Sequence, residues 1–360
     1  MGIPIVYFRS SSFNTHRFCP MQYYIEYTLG IRGNGGKKAD KGTITHKILE
    51  VCALAKKAIQ EGKETYQDEE IGEVITNNYD PKYLKQISLK VYNYYTNKFD
   101  YHVWEKKDFK DCFNWAWKAL HHKGGMFDPR NRDIVDAEPH FDFEIKEDWA
   151  KFDYPKHDLK GYLSLKGTID LISDMGDGVY EVLDWKTGMR KDWATDKEKT
   201  QENLFYDPQL RLYHYAVKRL YPHVHTFLIT IYYINTGGPF TILLQDSDLE
   251  DTEKIIKTRF EAIRDTEMPT QVKTKYPHKK WKCTKFCDAG MNSFEEMGSN
   301  IVSIDEFRFG KIRSRGEKMS ICDQVQHMIK EKGIDWVTDN YIHPDHSHGR
   351  YGSGGGKIQD

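Results

Sequence analysis

The chain has 360 residues, 53 of them basic and 54 acidic, so its formal net charge is −1. That balance excludes a globally basic protein that coats nucleic acid through net charge, and leaves only a local basic face for such a role. With 8 Trp, 23 Tyr and 18 Phe the chain is too aromatic for wholesale disorder, and its length suits about two domains or one large core with insertions.

The N-terminus, Met1-Gly2-Ile3-Pro4-Ile5-Val6, lacks the charged start and apolar run of a signal peptide, and Val6 stands where a myristoylation signal needs Ser or Thr. The longest apolar run, Phe227 to Ile234, is too short to span a bilayer. A soluble cytoplasmic protein with no membrane partner is expected. A short helix is expected over Pro20 to Tyr27, then a loop holding Gly33, Gly35 and Gly36. A long helix runs from Thr43 to Gln60 and stops at Gly62. Further helices are expected over Asp68 to Thr76, Tyr83 to Asp100 and Asp108 to His122, before a turn at Gly124-Gly125.

From Ile134 the pattern turns to strands: Ala137 to Ile145, Leu163 to Ser173 and Val179 to Lys186. The last two flank Asp174-Met175-Gly176-Asp177-Gly178, which has the chemistry of a tight hairpin. Asp207 can cap a helix that Pro208 opens and Pro222 ends. Two strands, Phe227 to Ile234 and Phe240 to Leu244, precede a helix that follows Ser247-Asp248 and reaches Arg264. Periodicity is lost from Met268 to Asn300, returns in a helix over Ile321 to Lys332, and gives way to a Gly352-Ser353-Gly354-Gly355-Gly356 tail. This order predicts an α/β core with a helical insertion near its front and a cysteine-bearing extension behind. The expected divisions are an N-terminal segment 1–42, a helical region 43–133, a core 134–267, a Lys/Cys-rich loop 268–300 and an extension 301–360.

The chemistry concentrates in the centre. A hairpin turning near Gly176 brings Asp170 and Asp184 side by side or one step apart, with Asp184 and Lys186 on one face and Trp185 on the other. Two carboxylates that close are costly neighbours unless a cation lies between them, and a hard ion such as Mg²⁺ or Mn²⁺ suits oxygen ligands. Lys186 beside it can orient water or stabilise charge on a phosphoryl group, an arrangement for cleaving phosphodiesters. His46 and Glu50 lie one turn apart on the long helix, and an imidazole there can complete the coordination of a Mn²⁺-type ion. Gln209 and Tyr213 are likewise one turn apart, near a helix N-terminus that welcomes phosphate. Taken singly, each of these pieces is as well explained by ordinary surface or packing residues.

Taken in order they are specific. Gly42-x-x-x-His46, Gly167-x-Ile169-Asp170, Asp184-x-Lys186-Thr187-Gly188 and Gln209-x-x-x-Tyr213 resemble the RecB-type branch of the PD-(D/E)XK nucleases, which includes recombination exonuclease domains and CRISPR-adaptation nucleases. The segment from Ser10-Ser11-Ser12 through Arg17-Phe18-Cys19-Pro20 to Tyr24 is similar to that branch's opening. The resemblance implies a restriction-endonuclease-like fold with a mixed central sheet. It implies His46, Asp170, Asp184 and the backbone carbonyl of Trp185 as ligands of Mg²⁺ or Mn²⁺, and Lys186 as the catalytic lysine. Gln209 and Tyr213 would shape the site or hold the DNA backbone. Many relatives carry Glu where this chain has Asp184. Glu138 falls where relatives often carry an acidic strand residue, and no role is assigned to it.

Relatives in this branch often hold a [4Fe–4S] cluster with one cysteine before the core and three after it. Cys19, Cys283 and Cys287 fit, whereas the fourth candidate, Cys322, lies far downstream. Zinc is the other reading, with His343, His346 or His348 able to contribute a ligand. Cys52 and Cys112 read as core thiols. Between Lys273 and Lys285 six lysines (273, 275, 279, 280, 282, 285) surround Tyr276 and Trp281 with no acidic residue, a pattern suited to phosphates and stacked bases.

The expectation is thus a metal-dependent deoxyribonuclease, exonucleolytic on DNA ends or single strands, in recombination, repair or phage DNA processing, with a helicase as a candidate partner. The alternatives are a structure-selective endonuclease of the same fold and a non-cleaving DNA-binding subunit. The intact His, Asp, Asp and Lys set argues against the last.

Overall fold

The computed structural model describes residues 3–31, 36–78, 80–155, 159–192, 196–290 and 320–341; the glycine-rich tail and His343, His346 and His348 lie outside them. Strand β1 (Tyr7–Arg9) leads into α1 (Ser10–Phe18), and α2 (Pro20–Tyr23) continues as a π-helical turn over Tyr24–Thr28. The long helix α3 spans Lys37–Gln60 and begins well before Thr43. Gly42 is therefore inside the helix, and its reason is packing. A Cβ there would lie 2.8 Å from the Thr187 hydroxyl.

The expected helix over Asp68 to Thr76 is a hairpin of β2 (Thr65–Asp68) and β3 (Gly72–Ile75). Asp68 Oδ1 accepts the backbone N–H groups of Glu70 and Ile71 at 2.9 and 3.1 Å, a local turn that wins over helix propensity. Helix α4 (Pro81–Lys98) starts on its proline with Asp80 accepting the Lys82 N–H at 2.8 Å, and α5 (Lys106–His121) follows.

The expected strand Ala137 to Ile145 is divided into β4 (Asp133–Ala137) and β5 (His140–Glu144). A hairpin of β6 (Lys151–Tyr154) and β7 (Leu159–Tyr162) comes next. The second expected strand is divided too, into β8 (Ser164–Thr168) and β9 (Leu171–Asp174), and β10 (Val179–Lys186) runs antiparallel to β9. After α6 (Gln201–Phe205) and α7 (Pro208–Leu220) come β11 (Thr226–Tyr233), β12 (Gly238–Gln245) and α8 (Leu249–Arg264). The cysteine region contributes α9 (Val272–Lys275) and α10 (Lys280–Phe286), and the extension α11 (Ile321–Lys332) and α12 (Ile334–Tyr341).

The central sheet is mixed, in the order β12–β11–β10–β9–β4, with β10 and β11 parallel. A smaller sheet, β1–β8–β5, sits beside it. The chain passes from the central sheet to the smaller one between β4 and β5, and back again between β8 and β9. In β8, Gly167 stands opposite Phe141, whose ring would lie 2.5 Å from a Cβ at that position.

Alternation along β10 divides its side chains between two cores. Leu183 and Trp185 pack with Ile44, Ile48, Val91 and Cys112 under α3, α4 and α5. Val182 packs on the other side with Phe227, Leu210, Val217 and Phe260, in a core that also takes in the N-terminal segment and the cysteine region. Each large apolar side chain removed from water this way contributes about 2 kcal/mol. The sheet is thus covered on both faces around the strand ends that carry Asp170 and Asp184. Among the described residues no helix is long and apolar enough to cross a membrane.

Candidate active site

The register Leu183–Leu171 in the β10–β9 ladder sets Asp184 opposite Asp170, one step beyond the last β9 residue. Because β9 stops at Leu171, the next N–H on β10, that of Trp185, has no strand carbonyl to meet. The Asp170 carboxylate takes it instead, at 2.7 Å. From the helical side, α3 delivers His46, whose Nδ1 lies 3.4 Å from Asp170 Oδ2. Gly42, one turn earlier, lets α3 close on Thr187, which follows Lys186.

Asp184 is 1% exposed. The Lys186 ammonium lies 2.8 and 2.6 Å from its two oxygens. The Tyr213 hydroxyl donates to Oδ1 at 2.9 Å, and Gln209 donates to that hydroxyl at 3.2 Å and weakly to Oδ1 at 3.4 Å. Helix α7 places both, since Asp207 caps it through the Gln209 N–H at 3.0 Å. The sequence pair Gln209 and Tyr213 thus meets the sequence pair Asp184 and Lys186. Glu181 faces elsewhere, bound by Arg132 and Thr230.

The electrostatics follow from burial and pairing. Burial pushes the Asp184 carboxyl up and Asp170 adds to it, against the opposing ammonium of Lys186. For Asp170 burial pushes upward as well, but His46, Lys186 and the Trp185 N–H together outweigh it and the carboxyl sits below its usual range. Burial lowers His46, the charge of Asp170 raises it, and the net displacement is upward.

His46, Glu138, Asp170, Lys186 and Thr187 line a cleft of about 440 Å³, with Lys47 and Glu50 at its side. Sequence alone assigns Glu138 no role, yet ligand atoms of His46, Glu138 and Asp170 all lie within 4.8 Å of one another. Its carboxyl is pushed well above the usual range by burial and then by Asp170. The signal available in the sequence is an acidic residue directly before a proline at a strand end. The donor set of imidazole and carboxylates suits Mg²⁺ or Mn²⁺.

Separate from this cleft, with which it shares no lining residue, is a pocket lined by Cys19, Cys283, Cys287 and Cys322. Helix α11 brings Cys322 in, so separation along the chain does not exclude it. The Val272 N–H points at Cys19 Sγ (3.4 Å) and the Gln271 amide at Cys322 Sγ (3.1 Å). Burial pushes all four thiols above their usual range, so four thiolates there require a cation among them. Cys52 and Cys112 lie elsewhere, in the helical core.

The lysine segment divides. Lys282 is 1% exposed and Lys279 5%, both paired with Asp196, and Lys273 pairs with Asp323. Lys279 and Lys282 are therefore interior, unlike the expectation that all six lysines face DNA, and Lys273 is half-buried. Lys275, Lys280 and Trp281 are exposed, and the Lys285 side chain lies outside the described residues.

The profile of the PD-(D/E)XK nuclease superfamily matches residues 10–290. The chain belongs to that superfamily. The match covers the whole central sheet of this nuclease, both halves of the candidate site and three of the four pocket cysteines, and begins just after β1 of the smaller sheet. Among solved structures the nuclease is similar to a protein of Eubacterium rectale named "Putative exonuclease", at 11% identity and a TM-score of 0.41, over 74% of this chain and 85% of that one. Among curated proteins none matches the nuclease.

Proposed function

We propose that this nuclease is a metal-dependent deoxyribonuclease of the RecB-type branch, acting exonucleolytically on DNA ends or single strands in recombination, repair or phage DNA processing. The observation that carries the reading is the joining of His46, Asp170 and Lys186 at one cleft, with Asp184 buried against Lys186 and bound in turn by Tyr213 and Gln209. His46, Asp170, Asp184 and the Trp185 carbonyl would hold Mg²⁺ or Mn²⁺. Bound there, the ion would activate water and neutralise charge on the scissile phosphate.

The protein's own part is positioning and charge. Lys186 reaches the cleft from the same strand as Asp184 and stabilises the extra negative charge that builds on the phosphate. Tyr213 and Gln209 fix the Asp184 carboxylate from behind. Exposed Lys275, Lys280 and Trp281 suit a DNA strand approaching on the cysteine side. A helicase that feeds single strands to the cleft is the partner this reading favours.

For the four cysteines the reading is a [4Fe–4S] cluster, which would brace the extension against the N-terminal segment. Among the described residues no three of these sulfurs lie within 4.8 Å of one another. A tetrahedral zinc with bonds of about 2.3 Å needs its sulfurs about 3.8 Å apart, whereas a cluster binds each cysteine to a different iron and spans more space. Brown protein with iron and sulfide after anaerobic purification supports this, and colourless protein with stoichiometric zinc rejects it.

The deciding experiment compares wild type with Asp184→Ala on labelled linear and circular DNA, single- and double-stranded, with Mg²⁺ or Mn²⁺. Wild type is expected to degrade linear substrates and spare circles, and the variant to do neither. Equal cleavage by both proteins removes the assignment. Cleavage of circles by wild type alone turns the reading to an endonuclease.

A further inference from the structure

We propose that the outward surface of α4 and α5 is a second binding surface, for single-stranded DNA, along which the strand runs to or from the cleft. The proposal rests on the deoxyribonuclease reading above and says where its substrate lies beyond the catalytic groups.

The first observation is a line of aromatic rings that starts in the cleft wall. Tyr95 lines the cleft, fixed by its hydroxyl, which donates to Glu70 at 2.8 Å. From it the rings follow one another through Phe99, Tyr101 and His102 to Trp104, with centroids 4.5–6.0 Å apart. Tyr92 carries the line across to α5, at 5.8 Å from Trp104 and 5.4 Å from Phe109. On α5 it continues through Phe109, Phe113, Trp117 and His121, each one turn beyond the last.

Packing alone does not call for rings in these places. Helix α5 turns Cys112, Ala116 and Leu120 inward, each at most 1% exposed. The aromatic ladder stands beside that stripe on its solvent side, with Phe109, Phe113 and Trp117 half-buried and His121 exposed. At the cleft end Tyr94 and Tyr101 are 38% and 42% exposed. Tyr101 is held by its hydroxyl, which donates to Asp40 of α3 at 3.0 Å, next to the cleft-lining Ala39. Ring faces held in this way are what unpaired bases stack on.

The second observation is charge. The stretch 81–123 carries nine lysines against four acidic residues, in a chain whose charges otherwise balance. Helix α4 has no acidic residue, and the acids within α5 are turned toward α3. Lys37 lies 2.6 Å from Asp108, and Lys41 lies 2.8 Å from Asp111. Lys82, Lys85, Lys106, Lys107, Lys110 and Lys118 are exposed, and among the described residues none of them pairs with a carboxylate. Unopposed positive charge beside aromatic faces complements a single strand, which offers phosphates and bases together. A duplex keeps its base faces stacked inside and has no use for the rings.

The test measures the affinity of the full chain for a fluorescent oligothymidylate of about 20 nucleotides, in EDTA so that no strand is cut. It compares wild type with Tyr94→Ala, with a double variant Lys110→Ala and Lys118→Ala, and with Lys160→Ala, an exposed lysine of β7. Tyr94→Ala is expected to weaken binding at least about fivefold, the loss of one stacked base. The double variant should flatten the slope of log affinity against log salt by about 0.7 for each phosphate contact removed. Lys160→Ala should stay within about twofold of wild type, with an unchanged slope. Should Tyr94→Ala lose stability, Tyr94→Leu, which keeps apolar bulk without the ring, takes its place. Wild-type affinity and slope in both the Tyr94 and the lysine variants overturn the proposal and leave the nuclease assignment, which turns on Asp184→Ala, standing. Equal weakening in Lys160→Ala overturns it too, because the effect then does not belong to this surface. If the variants weaken a blunt hairpin duplex as much as the single strand, the surface is a duplex site and the proposal fails. Wild type that binds no oligothymidylate removes both the surface and the single-strand reading.

Discussion

The backbone N–H of Glu138 meets the carbonyl of Asp170 at 3.2 Å, at the place where two adjacent strands leave the central sheet for the smaller one. Strand irregularities re-aim side chains, and here two coincide on neighbouring strands. The consequence is a pair of carboxylates presented to the cleft by main-chain geometry, with His46 arriving from α3 on the third side.

Tyr213 acts through Asp184. Tyr213→Phe removes the 2.9 Å hydrogen bond and leaves the Lys186 pair in place. Turnover should fall about tenfold with KM for DNA unchanged, and stability by about 1.5–3 kcal/mol, the worth of a hydrogen bond to a charged group. Unchanged turnover would show that the hydroxyl does not orient the carboxylate.

Gly42 and Thr187 form a pair that a double-mutant cycle can isolate. Gly42→Ala alone forces a Cβ to 2.8 Å from the Thr187 hydroxyl and should cost about 1–2 kcal/mol. In a Thr187→Ala background the clash is gone, and the same substitution should stabilise by about 0.5–1 kcal/mol through helix propensity. Equal effects in both backgrounds refute the contact.

Acid should destabilise this nuclease through buried histidines. Burial, with Arg211 adding, lowers His214 to about 4, and burial with Arg259 lowers His16 to about 4. Both bind protons more readily unfolded, where the value is about 6.5, so folding stability falls as pH drops from about 6.5 to about 4. Each contributes a slope of up to about 1.4 kcal/mol per pH unit in that window. His214→Phe, followed by denaturant unfolding at successive pH values, should lower the slope by about one proton. The reading fails if wild type and variant show the same slope between pH 6 and 4.5.

The cysteines should sort into two classes on metal analysis. Cys283→Ser and Cys287→Ser are expected to lose most of the bound iron and to lower the unfolding temperature, since metal binding and folding are coupled. Cys112→Ser, whose thiol lies against the Lys41 carbonyl in the helical core, should keep its iron. Iron content indifferent to Cys283 and Cys287 removes the cluster.

Salt dependence of DNA binding separates the lysines. Lys275→Ala and Lys280→Ala should each flatten the slope of log affinity against log salt by about 0.9 for every phosphate contact removed. Lys282→Met removes an internal pair with Asp196 and should lower the unfolding temperature while leaving that slope alone. A flattened slope in Lys282→Met would return this buried lysine to the DNA-binding face.

Much of the site was legible as residue types in order. The spacing of Asp170 and Asp184 about a hairpin, the period-two alternation that separates Lys186 from Trp185, and the capped start of α7 at Asp207-Pro208 are local properties. Chain stiffness and strand periodicity carry them into the fold unchanged. What the sequence could not carry was anything depending on which sheet a strand joins. A hydrophobic alternation from Ala137 to Ile145 looks the same whether the strand continues or changes partners at Glu138, because the pattern records facing and says nothing of neighbours.

Burial was decided the same way. Six lysines read alike in sequence, yet Lys279 and Lys282 are interior because Asp196 reaches them from a distant loop. Cys322 joins Cys19, Cys283 and Cys287 because α11 packs against the N-terminal segment. By itself, then, the sequence determined the chemistry of this nuclease and the local elements that bear it. Only long-range packing decided which carboxylate stands third at the cleft, which lysines meet solvent and which thiols share a pocket. Each of those depends on residues far apart in the chain, whose encounter no local pattern encodes.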